Sequence, residues 1–106
     1  MRVIVNIHSG KAAAVAGWRA RAVRVNDKGD ATLEEALMAA TLGNGGKLYD
    51  YVLKDGVISP DFILIANGIT ITETSLGTAV RDNVQIHIMD NPQQGIYHEE
   101  DDTGGD

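Results

Sequence analysis

"TLEEALMAATL", residues 32–42, is the one stretch of this 106-residue chain that reads as a helix without a competitor. Thr32 followed three positions later by Glu35 is a capping box, and Glu34 and Glu35 sit where the helix dipole favours negative charge. Leu33, Ala36, Leu37 and Ala40 then make an apolar stripe at helical spacing. The pattern predicts a helix over 33–42, stopped by Gly43 and the run "GNGG", whose glycines can take positive φ.

On both sides of this helix the period changes from 3.6 to 2. "RVIVNIH", residues 2–8, sets Val3, Val5 and Ile7 against Arg2, Ile4, Asn6 and His8, the alternation of a half-buried strand. "RARAVRV", residues 19–25, predicts a second strand, with the small-residue stretch "SGKAAAVAGW" between them read as the loop of a hairpin. After the helix, "KLYDYVLKDG", residues 47–56, alternates and is read as a strand. "DFILIANGITITE", residues 61–73, reads as two short strands joined at Asn67-Gly68, a strong hairpin signal. "SLGTAVRDN" is a connecting turn, and "VQIHIMD", residues 84–90, places Val84, Ile86 and Ile88 on one face of a last strand. No internal repeat and no second core is visible.

Composition narrows the class. With 43% hydrophobic and 23% charged residues the chain has the balance of one small domain, and with 5% aromatic residues its core must be largely aliphatic. The absence of cysteine removes disulfides, thiolate metal sites and a cysteine nucleophile, and suits a cytoplasmic protein. The N-terminus lacks the apolar run of a signal peptide, and no stretch approaches a membrane span. The net charge of −6 is uneven: nine Lys and Arg nearly balance ten acids before residue 98, and five acids follow. No basic face accumulates beyond Arg19, Arg21 and Arg24, which argues against nucleic acid as a partner.

Several motifs invite chemistry and fail a test of spacing. "HSGKA", residues 8–12, is half of a phosphate loop, but Val5 stands where its first glycine belongs, Ala12 where Ser or Thr must hold Mg²⁺, and no helix clearly follows. Lys11 is read as a solvated loop lysine. The "GNGG" glycines follow a helix instead of preceding one, so they do not cradle phosphate. His8, His87 and His98 are far apart in the chain without ligand spacing, and His8 and His87 are read as exposed strand histidines. No metal site and no catalytic centre is expected. The block Glu99 to Asp102 lacks the spaced ligands of a calcium loop and reads as solvated. Trp18 is either an anchor for a partner or a lid over one core edge.

From residue 91 the pattern stops. "NPQQGIYHEEDDTGGD", residues 91–106, holds too little apolar surface to offset its ordering entropy and is read as a flexible acidic tail after a domain of residues 1–90. Its Gly104-Gly105 pair has two readings. Glycine-rich tails are common, and a carboxyl end without side chains can also thread a narrow channel and expose its carbonyl.

The order strand, strand, helix, strand, strand, strand over residues 2–90 resembles the β-grasp fold of ubiquitin and the sulphur carriers, an α+β fold whose mixed sheet of four to five strands packs on one main helix. "ILIANGITIT" looks like the hairpin of those proteins, and "LGTAVRDNVQIHIMD" like their turn and final strand. The resemblance implies a protein that is not itself an enzyme and binds no cofactor. An activating enzyme would use ATP to adenylate the carboxylate of Gly105, with Gly104 its slender neighbour, before transfer to a target. Asp106 departs from the family's bare Gly-Gly end and implies trimming between Gly105 and Asp106. The trailing residue makes the chain similar to modifiers of bacterial conjugation operons, whose partners are an activating enzyme, a conjugating enzyme and a zinc-dependent processing peptidase. A sulphur carrier ending in a thiocarboxylate and a non-covalent β-grasp adaptor are the alternatives.

Overall fold

The computed structural model describes residues 1–25 and 31–92. Within them the chain runs β1 (Arg2–Ile7), α1 (Gly10–Ala16), β2 (Ala20–Arg24), α2 (Leu33–Ala39), α3 (Leu48–Val52), β3 (Leu53–Lys54), β4 (Val57–Ile58), β5 (Phe62–Ala66), β6 (Ile69–Thr70), a short 3₁₀ turn (Glu73–Ser75) and β7 (Val84–Asp90). Five strands form a mixed sheet in the order β2-β1-β7-β5-β6, and β3 pairs with β4 in a separate small hairpin. The last strand is central, parallel to β1 on one side and antiparallel to β5 on the other.

Alternation along the strands builds the core. Val3, Val5, Ile7, Val23, Phe62, Leu64, Ala66, Val84, Ile86 and Ile88 are all buried on one sheet face. Leu33, Ala36 and Leu37 of α2, with Leu48 and Val52 of α3, complete the same apolar cluster. At Asn67-Gly68 the φ angles are 56° and 77°, so both central residues of the β5–β6 turn are left-handed, as the tight hairpin requires.

Two elements depart from the sequence expectation. Residues 10–16, expected as loop, form α1, because Ser9 caps the helix by accepting from the Ala12 amide at 3.1 Å and Gly17 ends it at φ 84°. Ala12, Ala13 and Ala16 give it a buried stripe too small to register as a strong apolar period. Residues 48–52, expected as strand, form α3. Leu48 and Val52 are both fully buried, and their spacing of four satisfies a strand's alternation and a helix's i, i+4 face alike. Packing against α2 decides for the helix. The sheet is therefore covered by three short helices and not by one main helix.

Helix α2 has the predicted capping box: Thr32 Oγ1 accepts from the Glu35 amide at 3.2 Å, and Glu35 accepts from the Thr32 amide at 2.9 Å. It ends at Ala39, before the glycines. Ala40 is extended and buried, and its carbonyl accepts from the Leu48 amide at 2.9 Å. The glycines form the next turn, where Leu42 N–H donates to the Gly46 carbonyl. Gly43 also sits where a side chain would not: a Cβ there would lie 3.2 Å from the Ala16 carbonyl oxygen.

Candidate functional site

Two parts of the molecule are placed to meet a partner: the end of β7, from which the chain continues toward residue 106, and the sheet face left uncovered by helices. Asp90 closes β7, and Asn91 is fastened beside it. The Asn91 amide donates to the Asp61 carbonyl at 2.9 Å and its side-chain nitrogen donates to the Pro60 carbonyl at 2.9 Å. Lys11 lies near the same end, 3.8 Å from the Asp61 carboxylate and 5.3 Å from the centre of the Phe62 ring. The chain thus leaves the central strand from a fixed position. Gly104, Gly105 and Asp106, with His98 and the acids Glu99 to Asp102, lie outside the described residues, as do residues 26–30.

The register of the ladders defines the open face. Ile4 pairs with Ala22 and Gln85, Asn6 with Ala20 and His87, Ile65 with His87 and Thr70, and Ile63 with Met89. Ile4, Ile63 and Ile65 are partly exposed. Met89 is 39% exposed. The result is an apolar field with polar residues along its middle, where Asn6 Nδ2 donates to Gln85 Oε1 at 3.2 Å. Arg2 and Arg24, paired across β1 and β2, border it. Arg21 belongs to the other face, with its guanidinium 4.8 Å from the centre of the Trp18 ring.

His8 and His87, distant in sequence, are brought together here. His8 Nε2 and His87 Nδ1 are 2.9 Å apart, and the rings are 22° from parallel with centroids 5.1 Å apart. The expectation of separate exposed histidines is corrected on this point. Only strand pairing could have shown it, because residue 8 and residue 87 meet through the β1–β7 register. Trp18 is half-buried and packs on the core, and its Nε1 donates to the Thr41 carbonyl at 3.0 Å, which fits the lid reading.

The phosphate-loop reading gains a strand followed by a helix, which the sequence had not shown. The Ala12 amide at the start of α1 is nevertheless occupied by Ser9, and a Cβ on Gly10 would meet nothing within 4 Å, so no close backbone approach demands that glycine. Two ionisable groups are displaced. The Glu73 carboxylate accepts from the Ile58 amide at 2.8 Å, which lowers its pKa, with a further contribution from its own backbone. Partial burial, then the hydrogen bond to Glu34 at 3.1 Å, raises that of Tyr49. Neither lies on the open face. Among the described residues no group of three or more His, Asp or Glu converges on a metal position, and no helix is long and apolar enough to cross a membrane.

The sheet order β2-β1-β7-β5-β6 is shared with solved structures of the same fold. A crystal structure of SAMP1 from Haloferax volcanii superposes with a TM-score of 0.66 over 85% of this chain and 94% of that one, at 26% identity. The chain has the ubiquitin-like β-grasp fold. A second crystal structure, of the H. volcanii small archaeal modifier protein 1, gives a TM-score of 0.65 at 27% identity over 84% of this chain and 95% of that one. The solution structure of the H. volcanii HVO 2177 protein, at 21% identity, covers 86% of this chain and 83% of its own with a TM-score of 0.62, a likeness of fold. No family model matches the sequence, and no curated protein matches it. In β-grasp terms, β1–β2 and β5–β6 are the two hairpins, β7 is the central strand between them, and α1, α3 and the β3–β4 hairpin are local elaborations.

Proposed function

We propose that this chain is a ubiquitin-like protein modifier that acts through Gly105. The observation that carries the reading is the likeness to a small archaeal modifier protein across 85% of the chain, in a sequence that continues from the central strand to Gly104-Gly105. After cleavage of the Gly105–Asp106 peptide bond by a processing peptidase, for which a zinc enzyme is the expected class, the freed carboxylate attacks the α-phosphate of ATP bound to an activating enzyme. The acyl-adenylate forms and pyrophosphate leaves. A nucleophile then displaces AMP, and the acyl group passes, directly or by way of a conjugating enzyme, to the target protein. The β-grasp protein supplies the carboxylate and a surface for its enzymes, and ATP belongs to the activating enzyme.

The open face, with Ile4, Ile63, Ile65 and Met89 bordered by Arg2 and Arg24, is the surface we assign to recognition. The structural neighbours include a small archaeal modifier protein, which supports the modifier reading without favouring a bacterial operon setting. Sulphide in place of the target nucleophile would yield a thiocarboxylate and make the same chain a sulphur carrier. Intact mass spectrometry of protein recovered from its own host tests the proposal. Loss of Asp106 together with covalent adducts at Gly105 is expected. An oxygen-to-sulphur mass exchange at Gly105 without adducts would replace the modifier by the sulphur carrier, and Asp106 retained in every form would leave a non-covalent adaptor and end the proposal.

A further inference from the structure

The open sheet face changes character along its strands. Met89 and Ile63, paired across β7 and β5, lie at the end where the chain leaves β7. Ile65 and Ile4 follow toward the middle, in register with His87 and Gln85. Arg2 and Arg24, paired across β1 and β2, close the far end. The face therefore passes from apolar to basic in the direction opposite to β7. Both arginines are exposed, and Arg2 Nε donates to Asn83 Oδ1 at 3.1 Å, which fixes its guanidinium. Asp82, beside them, accepts from the Arg2 amide at 2.8 Å. Among the described residues no carboxylate forms an ion pair with either arginine.

The chain beyond β7 carries the complementary chemistry in the same order. Asn91, Pro92 and Gly95 are residues of a chain reversal. Ile96 and Tyr97 come next, and four consecutive acids, Glu99 to Asp102, follow. Reach fits as well. The Arg2 carbonyl accepts from the Asn83 amide at 2.6 Å, so Arg2 lies level with a residue eight positions before Asn91, about 26 Å back along the strand at about 3.3 Å per residue. An extended segment from Asn91 to Glu99 spans the same eight positions, and Asp102 adds three more to allow for the turn.

We propose that residues 96–102 of this chain fold back across the open face, with Ile96 and Tyr97 against Met89 and Ile63, and the acids Glu99 to Asp102 against Arg2 and Arg24. Apolar contact supplies the adhesion, because exposed ion pairs contribute little each, and the charges set direction and register. The segment is a cover that the domain carries for its own surface. When closed it occupies the face assigned to recognition, and a partner that engages this face lifts the segment and frees Gly104-Gly105 in the same step. That consequence rests on the modifier reading; the cover itself does not.

The chain has no cysteine, so T103C gives one attachment point for a nitroxide in the otherwise complete protein. In the isotope-labelled, nitroxide-bearing chain the amide NMR signals of Arg2, Ile4 and Arg24 should lose intensity, while those of Tyr49 and Asp50 in α3, behind the sheet, should keep more of theirs. Raising the salt from about 0.1 M to about 1 M shortens the screening length from about 10 Å to about 3 Å and should restore much of the signal. R2E/R24E should restore it too, and adding E99K, E100K, D101K and D102K to that chain should bring the loss back. Loss centred on the helices, uniform loss, or loss indifferent to both salt and charge reversal would overturn the proposal. So would loss at the open face of a nitroxide-free labelled chain when a nitroxide-bearing chain is mixed in, because the occupant would then be a second copy. The first arm uses no charge variant and does not depend on R2E/R24E folding. No activating enzyme takes part, so failure here would leave the modifier reading to be decided by the mass of the protein from its host.

Discussion

Trp18 Nε1 donates a hydrogen bond to the carbonyl oxygen of Thr41 at 3.0 Å, tying the link between α1 and β2 to the segment that leaves α2. The same indole carries the Arg21 guanidinium on its ring, so one side chain joins three parts of the chain. Trp18→Phe keeps most of the packing and loses the donor. It should cost about 0.5–1.5 kcal/mol, the usual net worth of a hydrogen bond, measured by urea denaturation. A loss below the error of that measurement would show that the indole contributes by packing alone.

The capping box at α2 gives a second expectation. Thr32→Ala removes the acceptor for the Glu35 amide and should destabilise the protein by about 1 kcal/mol, while Thr32→Ser should recover most of that loss. Equilibrium unfolding of the three proteins side by side checks the order.

Ile86 is fully buried at the middle of β7, the strand shared by both halves of the sheet. Ile86→Ala should cost about 2–5 kcal/mol, a large share of the roughly 5–15 kcal/mol that stabilises a typical domain. Gln85→Ala, one position away on the open face, should stay within about 0.5 kcal/mol.

Glu73 sets a pH dependence. Its carboxylate is held below its ordinary value by the Ile58 amide, so the folded state favours the ionised form more than the unfolded chain does. The stability it contributes is complete above the unfolded value of 4.5 and is lost as pH falls through the lower folded value. In Glu73→Gln the decline in stability below pH 4.5 should be shallower, as thermal melts between neutral and acid pH would record. An unchanged acid limb would assign that decline to other carboxylates.

The proposed chemistry makes a separable prediction. A chain ending at Gly105 should support ATP–pyrophosphate exchange with its activating enzyme without a peptidase, whereas the chain carrying Asp106 should not. Ile63→Arg on the open face should leave stability within about 0.5 kcal/mol and weaken that exchange. Equal exchange by the Ile63→Arg protein would move the recognition surface elsewhere.

What the sequence made legible follows from which signals are local. The alternation in β1 and β7, the Asn67-Gly68 turn and the Thr32–Glu35 box each lie within a few residues, and each appears in the structure as read. Helix α1 was hidden because alanines pack closely without a strong apolar signature. Helix α3 was hidden because Leu48 and Val52 fit both periods, and only contact with α2 separates them. The His8–His87 pair was illegible for a different reason: its spacing belongs to the register between the first and last strands. The open-face field has the same origin, while Gly104-Gly105 was readable only from the sequence.

The position of β7 also sets how the molecule bears load. A pull on anything joined to the chain beyond Asp90 enters the middle of the sheet and not its edge, along a strand whose hydrogen bonds to β1 and β5 lie across the pulling direction. Both ladders must then yield together in shear, where an edge strand would unzip one bond at a time. Whatever is attached at that end pulls on two ladders at once.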